Sequence, residues 1–231
     1  MSSIDDVVKA AQDLTDTVSS ECDRIDEKLA ELEALQADME QREKDAWSSY
    51  WRLSRNQLGQ VTDGNLNYFS KVNDCEVTFE VYRTIKTGIP WENRDQEEQE
   101  ILTAMGKSGI TYTQPEFNVV KMNWMNKATD DAARTFLQQV VYHTWVTHGC
   151  YAKLINGVIR GSYFDGITSE WGICGSSILL KSSSYATPHP YAETDTGEVL
   201  FCMLGTMAGR FPISRSKPMW GFIPYVQQIE D

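Results

Sequence analysis

At the start of the chain, apolar residues fall at Ile4, Val7, Ala11, Leu14 and Val18, in steps of three and four. Cys22, Ile25, Leu29 and Leu32 continue the pattern after a second step of four, which reads as a stutter in the repeat. Leu35, Met39 and Ala46 carry it onward, while Glu21, Lys28 and Arg42 place polar groups on nominal core positions. A hydrophobic repeat near 3.5 residues predicts a long helix that pairs with copies of itself, because so thin a stripe stabilises no helix alone. No Gly or Pro precedes Gly59, and no aromatic precedes Trp47, so the predicted helix runs from about residue 4 to about residue 54. At 1.5 Å per residue such a rod is roughly 75 Å long.

Beyond the rod the periodicity changes. "WSSYWRLSRNQLGQ" widens the apolar face, and Gly59 with "TDGN" at 62–65 marks an exit loop. "DCEVTFEVYRTI", with Val77, Phe79, Val81 and Ile85, alternates as a strand with one wet face, and "EFNVVKMNWMN" predicts a second strand. Between them, "PWENRDQEEQEILTAMG" predicts a short helix with Pro90 near its first turn and Gly106 past its end. The strongest helical pattern of the second half is "TDDAARTFLQQVVYHTWVTHG", where Phe136, Leu137, Val140, Val141, Thr144 and Trp145 share one face, Thr129 or Asp130 caps, and Gly149 stops. Turn signals at Asn156-Gly157 and Asp165-Gly166 then predict an all-β end. "PMWGFIPYV", bracketed by Pro218 and Pro224, reads as an edge or inter-subunit strand. The expected fold class is α+β: a coiled-coil stalk (1–58), an α+β linker region of the head (59–149) and a β-rich terminal head (150–231).

Charge sharpens this division. The net charge is −12, but residues 1–45 carry fourteen acidic and five basic side chains, a balance of −9, and the other 186 residues only −3. An acidic chain without a basic patch predicts no nucleic-acid partner. No apolar run is long enough to cross a bilayer and no signal-peptide pattern opens the chain, so cytoplasmic synthesis without membrane insertion is expected. The five cysteines, Cys22, Cys75, Cys150, Cys174 and Cys202, are odd in number and widely spaced, which predicts free thiols.

Candidate chemistry is sparse. "DTG" at Asp195–Gly197 matches an aspartic-protease loop, but its polar flanks read better as a turn. His143 and His148 are five apart, on different faces of the predicted helix, and no CxxC or phosphate-binding glycine loop occurs, so neither a metal nor a cofactor is expected and the chain reads as a non-enzyme. The readable sites are surfaces. The self-association seam consists of Ile4, Val7, Ala11, Leu14, Val18, Ile25, Leu29, Leu32, Leu35 and Met39. Tyr185, Tyr191 and Trp220, near β-region turns, are the candidate partner contacts.

An N-terminal coiled coil, a compact mixed region and a β-rich end without a catalytic motif together resemble the trimeric fibre and appendage proteins of tailed bacteriophages. The resemblance rests on organisation along the whole chain, with no motif from which a site residue could be carried over. It implies a homotrimer (a dimer being the other order the seam permits), docking to other virion proteins, location in the virion, and a head that trimerises or meets a host receptor or glycan. Two alternatives are a cellular coiled-coil adaptor with a protein-binding head, and a hydrolase hiding a Cys–His or carboxylate site, for example at Cys202 or Asp165.

Overall fold

The structure, a computed structural model, describes residues 3–48, 55–113, 115–125, 132–139, 145–179, 188–216 and 220–221. It divides into two compact units, Met1–Ser49 and Tyr50–Asp231. The first is one helix, α1 (Ile4–Ser48), of 45 residues. Its start is capped reciprocally: the Asp6 N–H donates to Ser3 Oγ at 3.3 Å and the Ser3 N–H donates to the Asp6 carboxylate at 3.0 Å. Exposed ion pairs Glu21–Arg24 (2.6 Å) and Lys28–Glu31 (2.7 Å) run along it, each worth only a few tenths of a kcal/mol (about 0.2–0.5).

The second unit contains β1 (Val61–Thr62), β2 (Asn65–Leu66), β3 (Ser70–Lys71), β4 (Glu76–Ile85), a 3-10 turn at Trp91–Asn93, α2 (Gln96–Ala104), β5 (Phe117–Met125), β6 (Ala133–Arg134), β7 (Phe136–Leu137), β8 (Trp145–Asn156), β9 (Ile159–Arg160), a 3-10 turn at Ser162–Phe164, β10 (Gly172–Leu179), β11 (Tyr191–Ala192) and β12 (Gly197–Ala208). An antiparallel sheet of order β10-β8-β12-β5-β4 forms its frame. The expected division at residue 149 falls inside β8, and strands from both sides of it pair in this one sheet, so 59–149 and 150–231 are not separate bodies.

β4, α2 and β5 lie where the periodicity puts them, with two differences. α2 begins at Gln96 with Asp95 as N-cap, its side chain accepting the Glu98 N–H, whereas Pro90 introduces the preceding 3-10 turn. Past the helix, Gly106 (φ +69°) donates to Thr103 O at 2.9 Å and Lys107 to Leu102 O at 2.7 Å, a Schellman closure that requires the left-handed glycine. On β4, Val81 keeps the register of Val77 and Phe79 by pairing with Val120 but is 41% exposed, and the register then shifts between Val81 and Arg83.

The helix expected over 129–149 is overturned. Ala133–Arg134 and Phe136–Leu137 are short strands, and Trp145–Gly149 opens β8; residues 126–131 and 140–144 lie outside the described residues. The physical reason is burial. β8 runs between β10 and β12 with seven consecutive buried residues, so both of its faces are covered and the apolar–polar alternation that marks a half-wet strand is absent. Gly149 is in mid-strand and stops nothing.

One sheet face carries Val77, Phe79, Val120, Met122, Trp124, Cys150, Ala152, Cys174, Val199 and Phe201. A register shift between Cys202 and Gly205, with Met203 at φ +54°, resets the parity of β12 so that Leu204 rejoins that face. The short strands and turns cover it. Phe136 is the hub, edge-on to Phe69, Phe79 and Phe164 at 5.5–6.2 Å and stacked near Tyr163 and Phe201 at 6.0 and 6.4 Å.

Candidate assembly surface and binding cleft

The seam on α1 is uncovered. Ile4, Val7, Leu14, Val18, Ile25, Leu29, Leu32, Leu35 and Met39 are between 52% and 83% exposed, Ala11 is exposed, and Cys22 on the same stripe is an exposed free thiol. No described side chain of the helix is buried. A helix of about 68 Å therefore carries an apolar line that nothing among the described residues of its own unit covers.

The three expected partner contacts part company. Tyr185 lies outside the described residues, as do Phe222, Pro224 and Tyr225 of the closing segment. Tyr191, on β11, is 36% exposed, with the His189 ring edge-on to it at 6.3 Å. Trp220 is a correction: it is only 2% exposed and offers no contact area. Its indole N–H donates to Met203 O at 2.8 Å, and its backbone carbonyl accepts the Tyr151 hydroxyl. Gly149 and Gly205, paired across β8 and β12, seat the ring, since a Cβ on either would stand 3.2 Å from it.

Buried polar groups of the sheet are arranged for structure. His148 Nδ1 lies 3.0 Å from Thr206 Oγ1, which lies 2.8 Å from Tyr163 Oη. Burial lowers the histidine to about 4 and raises the Tyr163 phenol. Cys150 and Cys174 oppose each other on β8 and β10 with sulfurs 3.5 Å apart, and burial raises the Cys150 thiol and that of Cys202. Cys202 is 1% exposed, so its thiol is both inaccessible and protonated. Cys75, pushed up to about 11 by burial, donates to Arg134 O at 3.6 Å. The Asp74 carboxylate clasps Arg134 (2.7 and 3.2 Å), whose hydrogen bonds, and after them its charge, hold it below the usual carboxylate range. Asp195 is exposed in the "DTG" turn, where Gly197 leaves room for the Trp124 ring; that turn joins β11 and β12, which belong to different sheets. His143 lies outside the described residues, and among the described residues no group of three metal-binding side chains converges.

A cleft of about 660 Å³ opens beside α2, lined among others by Trp91, Gln96, Glu100, Lys153, Glu170 and Trp171. Lys153 Nζ is 3.6 Å from the Glu100 carboxylate. Trp91 is half-buried on the 3-10 turn before α2, and Trp171 is 9% exposed just before β10. This site was invisible in the sequence, because Glu100 and Lys153, like the two indoles, are brought together only by the fold of the sheet. The two tryptophans themselves were the available signal.

No helix among the described residues is long and apolar enough to cross a membrane. The chain matches no family model, no curated protein and no solved structure.

Proposed function

We propose that this chain is a self-assembling, non-enzymatic structural protein, a homotrimeric short fibre or fibre adaptor of a tailed-phage particle. Identical α1 helices wrap together, and the assembled heads serve particle assembly or host attachment. The single observation that carries the reading is the uncovered stripe on α1, nine large apolar side chains at steps of three and four on a 45-residue helix. Knobs-into-holes packing buries such a stripe, and copies of the same chain supply the complementary one. The absence of aromatic rings from the seam fits its narrow packing, while the Trp, Tyr and Phe side chains serve the head. Three heads on one stalk raise the local concentration of any weak head contact, so attachment gains strength without a tight individual site.

The test is the native mass. Light scattering of the full chain should give three times the 26.3 kDa of one chain. A Leu29→Glu/Leu32→Glu double variant should give single chains with unchanged near-ultraviolet circular dichroism of the head. A full-length protein that runs as a single chain overturns the assembly reading. A stable assembly of another order moves it toward a cellular adaptor.

A further inference from the structure

We infer that the cleft beside α2 is a saccharide-binding site that takes one or two neutral pyranose units. Its size falls in the range of roughly 300–1,000 Å³ in which small-molecule sites are found, at about 660 Å³. Its chemistry selects the ligand class. A purely apolar ligand would strip water from Gln96, Glu100 and Lys153 and return no hydrogen bonds. An acidic ligand meets Glu100 and Glu170, while the one lysine of the lining is already beside Glu100 at 3.6 Å. A neutral sugar matches both halves of the wall. Its C–H face suits the electron-rich face of an indole, and its hydroxyls suit a rim of amide, carboxylate and ammonium groups. The Trp171 N–H adds a buried donor in the wall with no partner among the described residues.

The two indoles stand on firm supports, which a shallow site needs in order to bind at all. The turn bearing Trp91 is held by Gln99 Nε2, which donates to Trp91 O at 2.9 Å and to Arg94 O at 3.1 Å. Arg94 is itself buried (4% exposed), donating to Lys86 O at 2.9 Å and Thr111 O at 3.2 Å and pairing with Glu98 at 3.1 Å. In the loop before β10 the Thr168 hydroxyl accepts the Glu170 N–H at 3.2 Å, fixing the approach to Trp171. An arginine with its side chain fully buried beneath a surface turn is a costly device. Its guanidinium ties the loop at Lys86 and Thr111 to the first turn of α2 through Glu98, next to the turn that bears Trp91.

The cleft belongs wholly to the head, so the inference stands or falls separately from the assembly of the stalk. Saturation-transfer NMR on the full-length protein, with D-glucose, D-galactose, D-mannose, N-acetyl-D-glucosamine and their common disaccharides as probes, should reveal at least one ligand of millimolar affinity. Trp91→Ala should weaken it roughly tenfold or more, and Glu100→Gln should weaken it with near-ultraviolet circular dichroism unchanged. N-acetylneuraminic acid should bind worse than the neutral probes. The inference is overturned if none of these sugars gives a signal at about 20 mM, if both variants bind as the parent does, or if the acidic sugar binds best. Native mass is measured on the same samples: a trimer without sugar binding removes the cleft alone, and a single chain that binds sugar removes the assembly alone.

Discussion

Lowering the pH from 8 to 5 should cost the head about 2 kcal/mol through His148 alone. The side chain is 3% exposed. Its neighbours are Thr206 Oγ1 at 3.0 Å and the Tyr163 ring edge-on at 5.4 Å, with Ser176 opposite it on β10. None of these is a carboxylate that would hold a proton on the imidazole. Burial therefore lowers the folded value to about 4, from 6.5 in the unfolded chain. Unfolded molecules take up the proton as the pH falls through 6.5, and folded ones do not until about 4. The contribution is thus intact above pH 6.5 and is lost progressively between 6.5 and 4, reaching about 3 kcal/mol in all at 1.36 kcal/mol per unit. Urea titrations followed by tryptophan emission are the assay, since all seven Trp lie at or after Trp47. His189 is also lowered, by burial first and by the charge of Arg134. The quantity to read is therefore the difference in pH slope between the parent and His148→Gln. Should the two slopes coincide between pH 6.5 and 5, the histidine is not sealed from water and the account of the buried His148–Thr206–Tyr163 chain is wrong.

Two further outcomes follow from the packing. Phe136→Ala removes the ring that meets Phe69, Phe79, Phe164, Tyr163 and Phe201. It should cost about 3–5 kcal/mol in chemical denaturation, and a loss under about 1 kcal/mol would mean that the cluster collapses into the space. Cys22 lies on the α1 stripe and is exposed, so oxidation of the native assembly should give a Cys22–Cys22 linked dimer on non-reducing gels. Its absence under conditions that oxidise an exposed thiol indicates antiparallel or shifted strands.

How much of this was legible in the sequence depended on how each segment meets water. α1, β4, α2 and β5 each have a wet face, so their periods of 3.6 or 2 are written in the order of residues. β8 has no wet face over seven of its residues. With alternation erased from Trp145 onward, Trp145 extended the apparent helical spacing begun at Phe136 and Leu137, and Gly149 imitated its end. The cleft failed for a different reason. Nothing local relates Trp91 to Trp171 or Glu100 to Lys153, since such pairings are products of strand order β10-β8-β12-β5-β4 and of where α2 packs.

Gly149 shows most plainly what local reading cannot supply. It is paired with Gly175 on one side and Gly205 on the other, so three glycines lie in a row across β10, β8 and β12. A row without side chains in mid-sheet is unfavourable for strands in isolation. Here it removes steric bulk on both sides of need: a Cβ on Gly175 would stand 2.1 Å from His148 O, and Cβ atoms on Gly149 and Gly205 would press on the Trp220 ring at 3.2 Å. Trp220 then ties its segment down through Met203 and Tyr151, and Gln57 Nε2 reaches Gly221 O at 2.7 Å from the opposite end of the head. A glycine that reads as a terminator in one dimension is, in three, the vacancy that lets a distant tryptophan pack on the sheet. The exposed aromatic expected at position 220 and the helix stop expected at position 149 are two errors with this one cause.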